Sequence, residues 1–252
     1  MVGDGFNPEV GFTRRRDFRR TATGARFSPR PKRNRLIRKM DWEGNYVYIT
    51  SADRERAQNR EAQGIFRIDF ENSDVLNTDY THDYEFLPRD FAIAPRVTVP
   101  SGGYTYQNFR TSYTLGMQRR VSGRFTYGRG TLYAGHKDEA SFSSGRVKVT
   151  NRLNVEPSVT LNWVDLPQGS FTTRLVTTRV IVTPSPRMLI SSLVQYNQGA
   201  HSVNSSVRLR WEYSPGSEIF LVYSDGWNTL PLPDDSLLNR SLAVKLTRLI
   251  RF

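Results

Sequence analysis

The sequence contains no cysteine, so it has neither a disulfide framework nor a thiolate for catalysis or metal binding. Its three histidines, His82, His136 and His201, are scattered and lack the spacing of metal ligands. It has no run approaching the ~20 apolar residues of a membrane-spanning helix. No Gly-x-Ser-x-Gly elbow and no phosphate loop is present. We therefore predict that the chain is not an enzyme and uses no metal or other cofactor.

Acidic residues are scarce relative to basic ones, and the net charge is +12. Residues 14–38 hold much of the excess and contain one acid, Asp17. An excess of this kind is typical of proteins that bind nucleic acid or an anionic surface. Elsewhere, however, the cations alternate with apolar residues inside predicted strands, which suits the inner wall of a barrel better than a solvated patch. We therefore predict no nucleic-acid partner.

The carboxy-terminal segment, residues 240–252, alternates between apolar and polar side chains. From Leu242 onward its even positions are apolar apart from Arg248, and its odd positions are mostly polar. A period of two predicts a strand with one apolar and one polar face. The segment resembles the carboxy-terminal assembly signal of bacterial outer-membrane proteins, which would here consist of Leu246, Ile250 and Phe252. An amphipathic strand of a soluble β-protein has the same period, so both interpretations stay open at this point.

The rest of the chain repeats one unit, a β-forming segment followed by a turn. We find no segment with the period and caps of a helix, and we count about thirteen strands. Tight turns are predicted at 72–74, 154–157 and 214–217, and a longer loop at 88–102. The pattern predicts an all-β, up-and-down antiparallel sheet.

The lengths of the connections favour a membrane barrel. If Phe252 lies on the periplasmic side, the two longest connections, 88–102 and 226–238, both fall outside, and the inner connections are short. Long external loops and short periplasmic turns are typical of outer-membrane barrels. We therefore predict a transmembrane β-barrel of about 12–14 strands, with residues 1–17 as an extracellular loop or entry segment and 18–252 as the barrel domain.

This prediction places the protein in the bacterial outer membrane, with membrane lipid and the outer-membrane assembly machinery as its partners. A barrel reaches that membrane through a signal peptide, yet Met1 to Gly5 have neither a basic start nor an apolar core. We expect the signal peptide to have been lost upstream and the chain to be a fragment of a larger barrel.

Alternation also assigns faces to several strands. The predicted lipid-facing residues are Phe66, Ile68, Phe70, Val147, Val149, Val159, Leu161, Trp163, Val207, Leu209, Trp211, Val244, Leu246 and Ile250. The predicted lumen-facing charged residues are Arg67, Asp69, Glu71, Arg146, Lys148, Arg152, Arg208, Arg210, Glu212 and Lys245. The segments 75–87, 170–183, 187–197 and 218–225 alternate poorly, and no faces are assigned to them.

Several stretches together resemble a known family. They are Phe6 to Phe12 with Arg15, Arg16 and Asp17; Phe91 to Tyr104; Leu193 to Asn197; and Val207 to Tyr223. The chain resembles the carboxy-terminal part of uncharacterised bacterial outer-membrane β-barrel proteins that carry an amino-terminal, family-nine-type carbohydrate-binding-like domain. The resemblance implies that this domain and early barrel strands are missing here, and that carbohydrate is a partner through the missing domain.

Three functional hypotheses follow. The first is an outer-membrane barrel that serves as a pore for polar or anionic solutes, or as the membrane anchor of the missing domain. The second is a soluble basic β-protein that binds nucleic acid or glycan. The third is an envelope hydrolase, which requires a carboxylate pair or triad converging in the lumen.

Overall fold

The computed structural model describes residues 17–53, 57–230 and 236–250. In these ranges the chain is all-β and antiparallel, as predicted, and contains no helix that is long and apolar enough to cross a membrane. The strands described are β1 (Phe18–Phe27), β2 (Ile37–Ser51), β3 (Ala57–Phe70), β4 (Val75–Leu87), β5 (Phe91–Ala94), β6 (Val97–Val99), β7 (Gly102–Leu115), β8 (Val121–Leu132), β9 (Gly135–Lys148), β10 (Leu153–Leu166), β11 (Gly169–Ser185), β12 (Met188–Asn197), β13 (Ser202–Ser214), β14 (Ser217–Asn228) and β15 (Leu237–Thr247).

The described strands other than β5 and β6 form a 13-stranded sheet in the order β1-β2-β3-β4-β7-β8-β9-β10-β11-β12-β13-β14-β15. Its strands follow one another in chain order, which is the up-and-down arrangement that the repeating pattern predicts. The strands at the two ends of this order, β1 and β15, do not pair with each other in the described part of the chain. The sheet is therefore open there, and the predicted closure into a barrel remains a proposal.

The chain divides into two compact units. The first unit comprises Met1–Tyr113, Tyr127–Glu139 and Trp163–Phe171. The second unit comprises Thr114–Thr126, Ala140–Asn162 and Thr172–Phe252.

Short turns of the predicted kind end several strands. Between β3 and β4, the backbone N–H of Asp74 donates to Asn72 Oδ1 at 3.0 Å, and Ser73 has φ 65°. Between β13 and β14, Gly216 has φ 74°, a conformation that favours glycine. These local constraints reverse the chain within a few residues, so that consecutive strands become neighbours.

Two predicted connections are wrong in detail. The segment 88–102 is not an irregular loop, because it contains the hairpin of β5 and β6, in which Phe91 lies opposite Val99. The predicted turn at 154–157 belongs to β10 instead. The turn comes earlier, where the backbone N–H of Val149 donates to the carbonyl of Leu153 at 3.0 Å.

A small hydrophobic core lies beneath this hairpin, within the first unit. Val97 and Val99 of β6 are buried together with Leu87, Val164 and Leu166. Val99 is 0% exposed. Because these residues come from distant segments, their packing fixes the β5–β6 hairpin against β4 and β10.

Candidate functional site

One side of the strands of the second unit carries a row of large apolar side chains. Directly opposed residues of an antiparallel pair project from the same face. Leu209 lies opposite Leu221, which in turn lies opposite Val244; Trp211 lies opposite Ile219, which lies opposite Leu246. We call this side of β12–β15 the apolar face of the second unit.

The other side of the same strands is polar, and we call it the polar face of the second unit. Arg208 lies opposite Ser191, and Arg210 lies opposite Phe220, whose other partner is Lys245. Serines occupy much of the space between these cations: Ser206 lies opposite Ser224, and the two hydroxyl groups are 3.0 Å apart. The predicted lumen-facing residues Arg208, Arg210 and Lys245 thus share one face.

The apolar face is the more unusual of the two because it is open. Val207 is 37% exposed, Trp211 is 43% exposed and Val244 is 64% exposed. A soluble β-sandwich would pack such a row into its core. In this sheet Val207, Trp211 and Val244 are instead exposed. Exposed apolar surfaces are typical of sites that contact lipid or another protein.

The first unit has the same division into two faces. On its apolar face, the indole ring of Trp42 contacts Phe27 with ring centroids 5.9 Å apart and Phe66 with ring centroids 5.1 Å apart. On its polar face, Asp41 lies opposite Arg67, and Asn45 lies opposite Gln63. Trp42 is exposed, whereas Asp41 is buried.

Asp41 is the centre of an ion cluster on the polar face of the first unit. Its carboxylate is 2.8 Å from Arg26 Nη2 and 2.9 Å from Lys39 Nζ, and it accepts a hydrogen bond from the Ser28 hydroxyl. Only 3% of Asp41 is exposed. Two cations and a hydroxyl therefore compensate this buried charge, as burial of a carboxylate requires.

A second ion pair on this face joins two residues predicted to face the lumen. Arg67 Nη2 is 2.8 Å from Asp69 Oδ1, and Arg67 Nε donates to the same oxygen. Glu71, the third predicted residue of this group, lies beyond the end of β3 and is exposed.

A group of acidic residues on the polar face of the first unit was not among the predicted site residues. Glu61 of β3 lies opposite Asp83 of β4, and Glu85 accepts a hydrogen bond from the Tyr106 hydroxyl at 3.2 Å. The sequence does carry the signal, since the odd positions 77 to 85 are all polar. Like charges directly opposite one another destabilise a sheet, so such a cluster is more typical of a functional surface than of a structural one.

The same face also holds a cavity of about 240 Å³ lined by both signs of charge. Arg110 Nη2 is 3.1 Å from Glu139 Oε2, and Lys137 Nζ is 3.3 Å from the same oxygen. Asp79 and Asp83 line the cavity as well. No group of histidine and carboxylate ligands suited to a metal ion occurs in the described residues.

The remaining predicted site residues are spread more widely. Arg146 and Lys148 lie in β9, whereas Arg152 lies in the turn before β10, where its carbonyl accepts a hydrogen bond from the N–H of Thr183 at 2.8 Å. Glu212 accepts a hydrogen bond from the N–H of Gly216 at 3.0 Å. Ile250 lies after the end of β15 and is exposed. Phe252 lies outside the described residues.

Neither the protein-family models nor the curated proteins with which the chain was compared gave a match.

Proposed function

We propose that this chain forms a transmembrane β-barrel, or part of one, in the bacterial outer membrane, and that its polar face lines a passage for polar or anionic solutes. The proposal requires that β1 and β15 pair with each other or with further strands, since an unpaired strand edge is not tolerated in hydrocarbon. The resemblance to outer-membrane β-barrel proteins and the alternating segment 240–252 support this location.

The observation that carries the proposal is the inverted arrangement of the two faces. In the first unit, Phe27 and Trp42 on the apolar face are exposed, whereas Asp41 and Asp69 on the polar face are buried among their ionic partners. Water solvates charges and expels apolar groups, so a soluble protein is expected to show the opposite distribution. Hydrocarbon outside and water inside explain this arrangement in the first unit, and hydrocarbon contact also accounts for the exposed apolar residues of the second unit.

The charges on the polar face of the second unit suggest the class of solute. This face carries four cations, Arg179, Arg208, Arg210 and Lys245, and the acids Glu212 and Glu218. A polar passage lined by cations concentrates anions through its electrostatic field. We therefore propose that small anions pass more readily than cations of the same size.

Reconstitution into planar lipid bilayers tests this proposal. The refolded chain should insert and conduct, and in a gradient of potassium chloride its reversal potential should show a preference for chloride. Raising the salt concentration should weaken that preference, because the screening length is about 8 Å at 0.15 M and about 3 Å at 1 M.

The control is the same protein preparation after heat denaturation, which should not conduct. A chain that stays in the aqueous phase when detergent is removed, and binds polyanions there with a steep salt dependence, would contradict the proposal and favour the soluble alternative.

A further inference from the structure

A cavity of about 270 Å³ lies on the polar face of the second unit, between β11, β12 and β13. Arg179 and Arg208 line it together with the hydroxyl-bearing Ser191 and Ser206. The strand register explains this gathering. Arg208 and Ser191 lie directly opposite each other, and Leu193 lies between Arg179 and Ser206 in the next row.

The cavity has more positive charge than its neighbours neutralise. The guanidinium group of Arg208 makes no hydrogen bond or ion pair with any described residue. Arg179 Nη1 lies at the long distance of 3.7 Å from Glu156 Oε2, its one acidic partner in the part of the chain that the structure describes. The next cation along β13 differs: Arg210 Nε is only 2.9 Å from Glu218 Oε2, and Arg210 does not line the cavity.

The chemistry of the lining selects a type of ligand. A guanidinium group binds a carboxylate through two parallel hydrogen bonds, and serine hydroxyls donate further ones. Ile181, Leu189 and Leu193 supply an aliphatic wall in the same cavity. A fully hydrated inorganic anion gains nothing from such a wall, whereas an aliphatic chain buries its surface against it.

We propose that this cavity binds a small aliphatic carboxylate, with its carboxylate on Arg208 and Arg179 and its hydrocarbon part against Ile181, Leu189 and Leu193. The inference deepens the proposed function, because it names the solute class, and it rests on that function for the route by which the solute arrives. Binding itself requires only the folded chain.

Calorimetric titration of the full chain in detergent micelles with hexanoate tests the site. Arg208→Gln should weaken hexanoate binding by at least about tenfold, which is the loss expected when a charge-assisted hydrogen bond is removed. Arg210→Gln is the matched control, since it removes the same charge from the same face of the same strand outside the cavity. It should change the affinity by less than about threefold.

Hexanol and inorganic phosphate, titrated under the same conditions, should both bind more weakly than hexanoate. Hexanol lacks the carboxylate that the arginines bind, and phosphate lacks the hydrocarbon chain that packs against the aliphatic wall. Absence of hexanoate binding by the unmodified chain, or equal losses in the two variants, would overturn the site. If the chain conducts but does not bind hexanoate, the binding site is contradicted and the proposed passage is not. If the chain binds hexanoate in micelles but neither inserts nor conducts, the proposed passage is contradicted and the binding site is not.

Discussion

Val244→Arg should lower the stability of the membrane-inserted protein by about 2–4 kcal/mol, the cost of a charged side chain on the lipid face near mid-depth of a barrel. Val244 lies near the middle of β15, on the apolar face of the second unit, and it is exposed. In hydrocarbon the guanidinium loses its hydration without gaining a partner. Urea unfolding of the protein in lipid vesicles, followed by tryptophan fluorescence, measures the loss.

The adjacent residue provides a matched control. Ala243 is also exposed, but it lies on the polar face, opposite Val222. Ala243→Arg should therefore change the stability by less than about 1 kcal/mol, as surface substitutions do. In a soluble protein both positions belong to a solvated edge strand, so equal and small effects of the two substitutions would speak against a lipid-facing surface.

The second large effect is expected at the ion cluster of the first unit. Asp41→Ala should destabilise the protein by about 3 kcal/mol, because it leaves two cations close together without their counter-ion. This value is at the lower end of the stability loss that is usual when a buried ion pair is broken, because the Arg26 side chain is half exposed and that of Lys39 is partly exposed. Denaturant unfolding in micelles measures this loss.

Asp69→Ala is the comparison for this cluster. Asp69 is also buried, but among the described residues it pairs only with Arg67, whose side chain is partly exposed. Asp69→Ala should therefore lower the free energy of unfolding by about 1 kcal/mol, close to the value for a solvated ion pair. If Asp41→Ala lowers the free energy of unfolding no more than Asp69→Ala does, the two cations around Asp41 do not make it more important for stability than a single ion pair.

The alternation of the sequence was sufficient to predict the strands of the 13-stranded sheet and one pair of faces. Residues 207–213 alternate without interruption, and β13 places Val207, Leu209 and Trp211 together on one side. In β4 the same signal was present in Asn77, Asp79 and the odd positions up to 85. It was missed because Thr78 and His82 interrupt the apolar character of the even positions.

Contacts between distant segments could not be predicted in this way. The burial of Val97 and Val99 depends on Val164 and Leu166, which lie more than sixty residues further along the chain. No local pattern encodes such packing, so the segment 88–102 looked like a loop rich in proline and glycine.

The cavity between β11, β12 and β13 was hidden for a related reason. Arg208 was predicted on the polar side, but Arg179 and Ser191 belong to segments without a clear alternation. Strand register alone brings these residues together. A period of two assigns a residue to a face, whereas the identity of its neighbours depends on how the strands are aligned.

Tryptophan fluorescence in lipid vesicles tests the central claim, that lipid covers the apolar faces, most directly. The four tryptophans, Trp42, Trp163, Trp211 and Trp227, are all exposed. Lipids brominated along their acyl chains should quench most of the fluorescence of the reconstituted protein, and aqueous iodide should quench little. Strong quenching by iodide together with no effect of brominated lipid would show that water covers these rings, and would contradict the account.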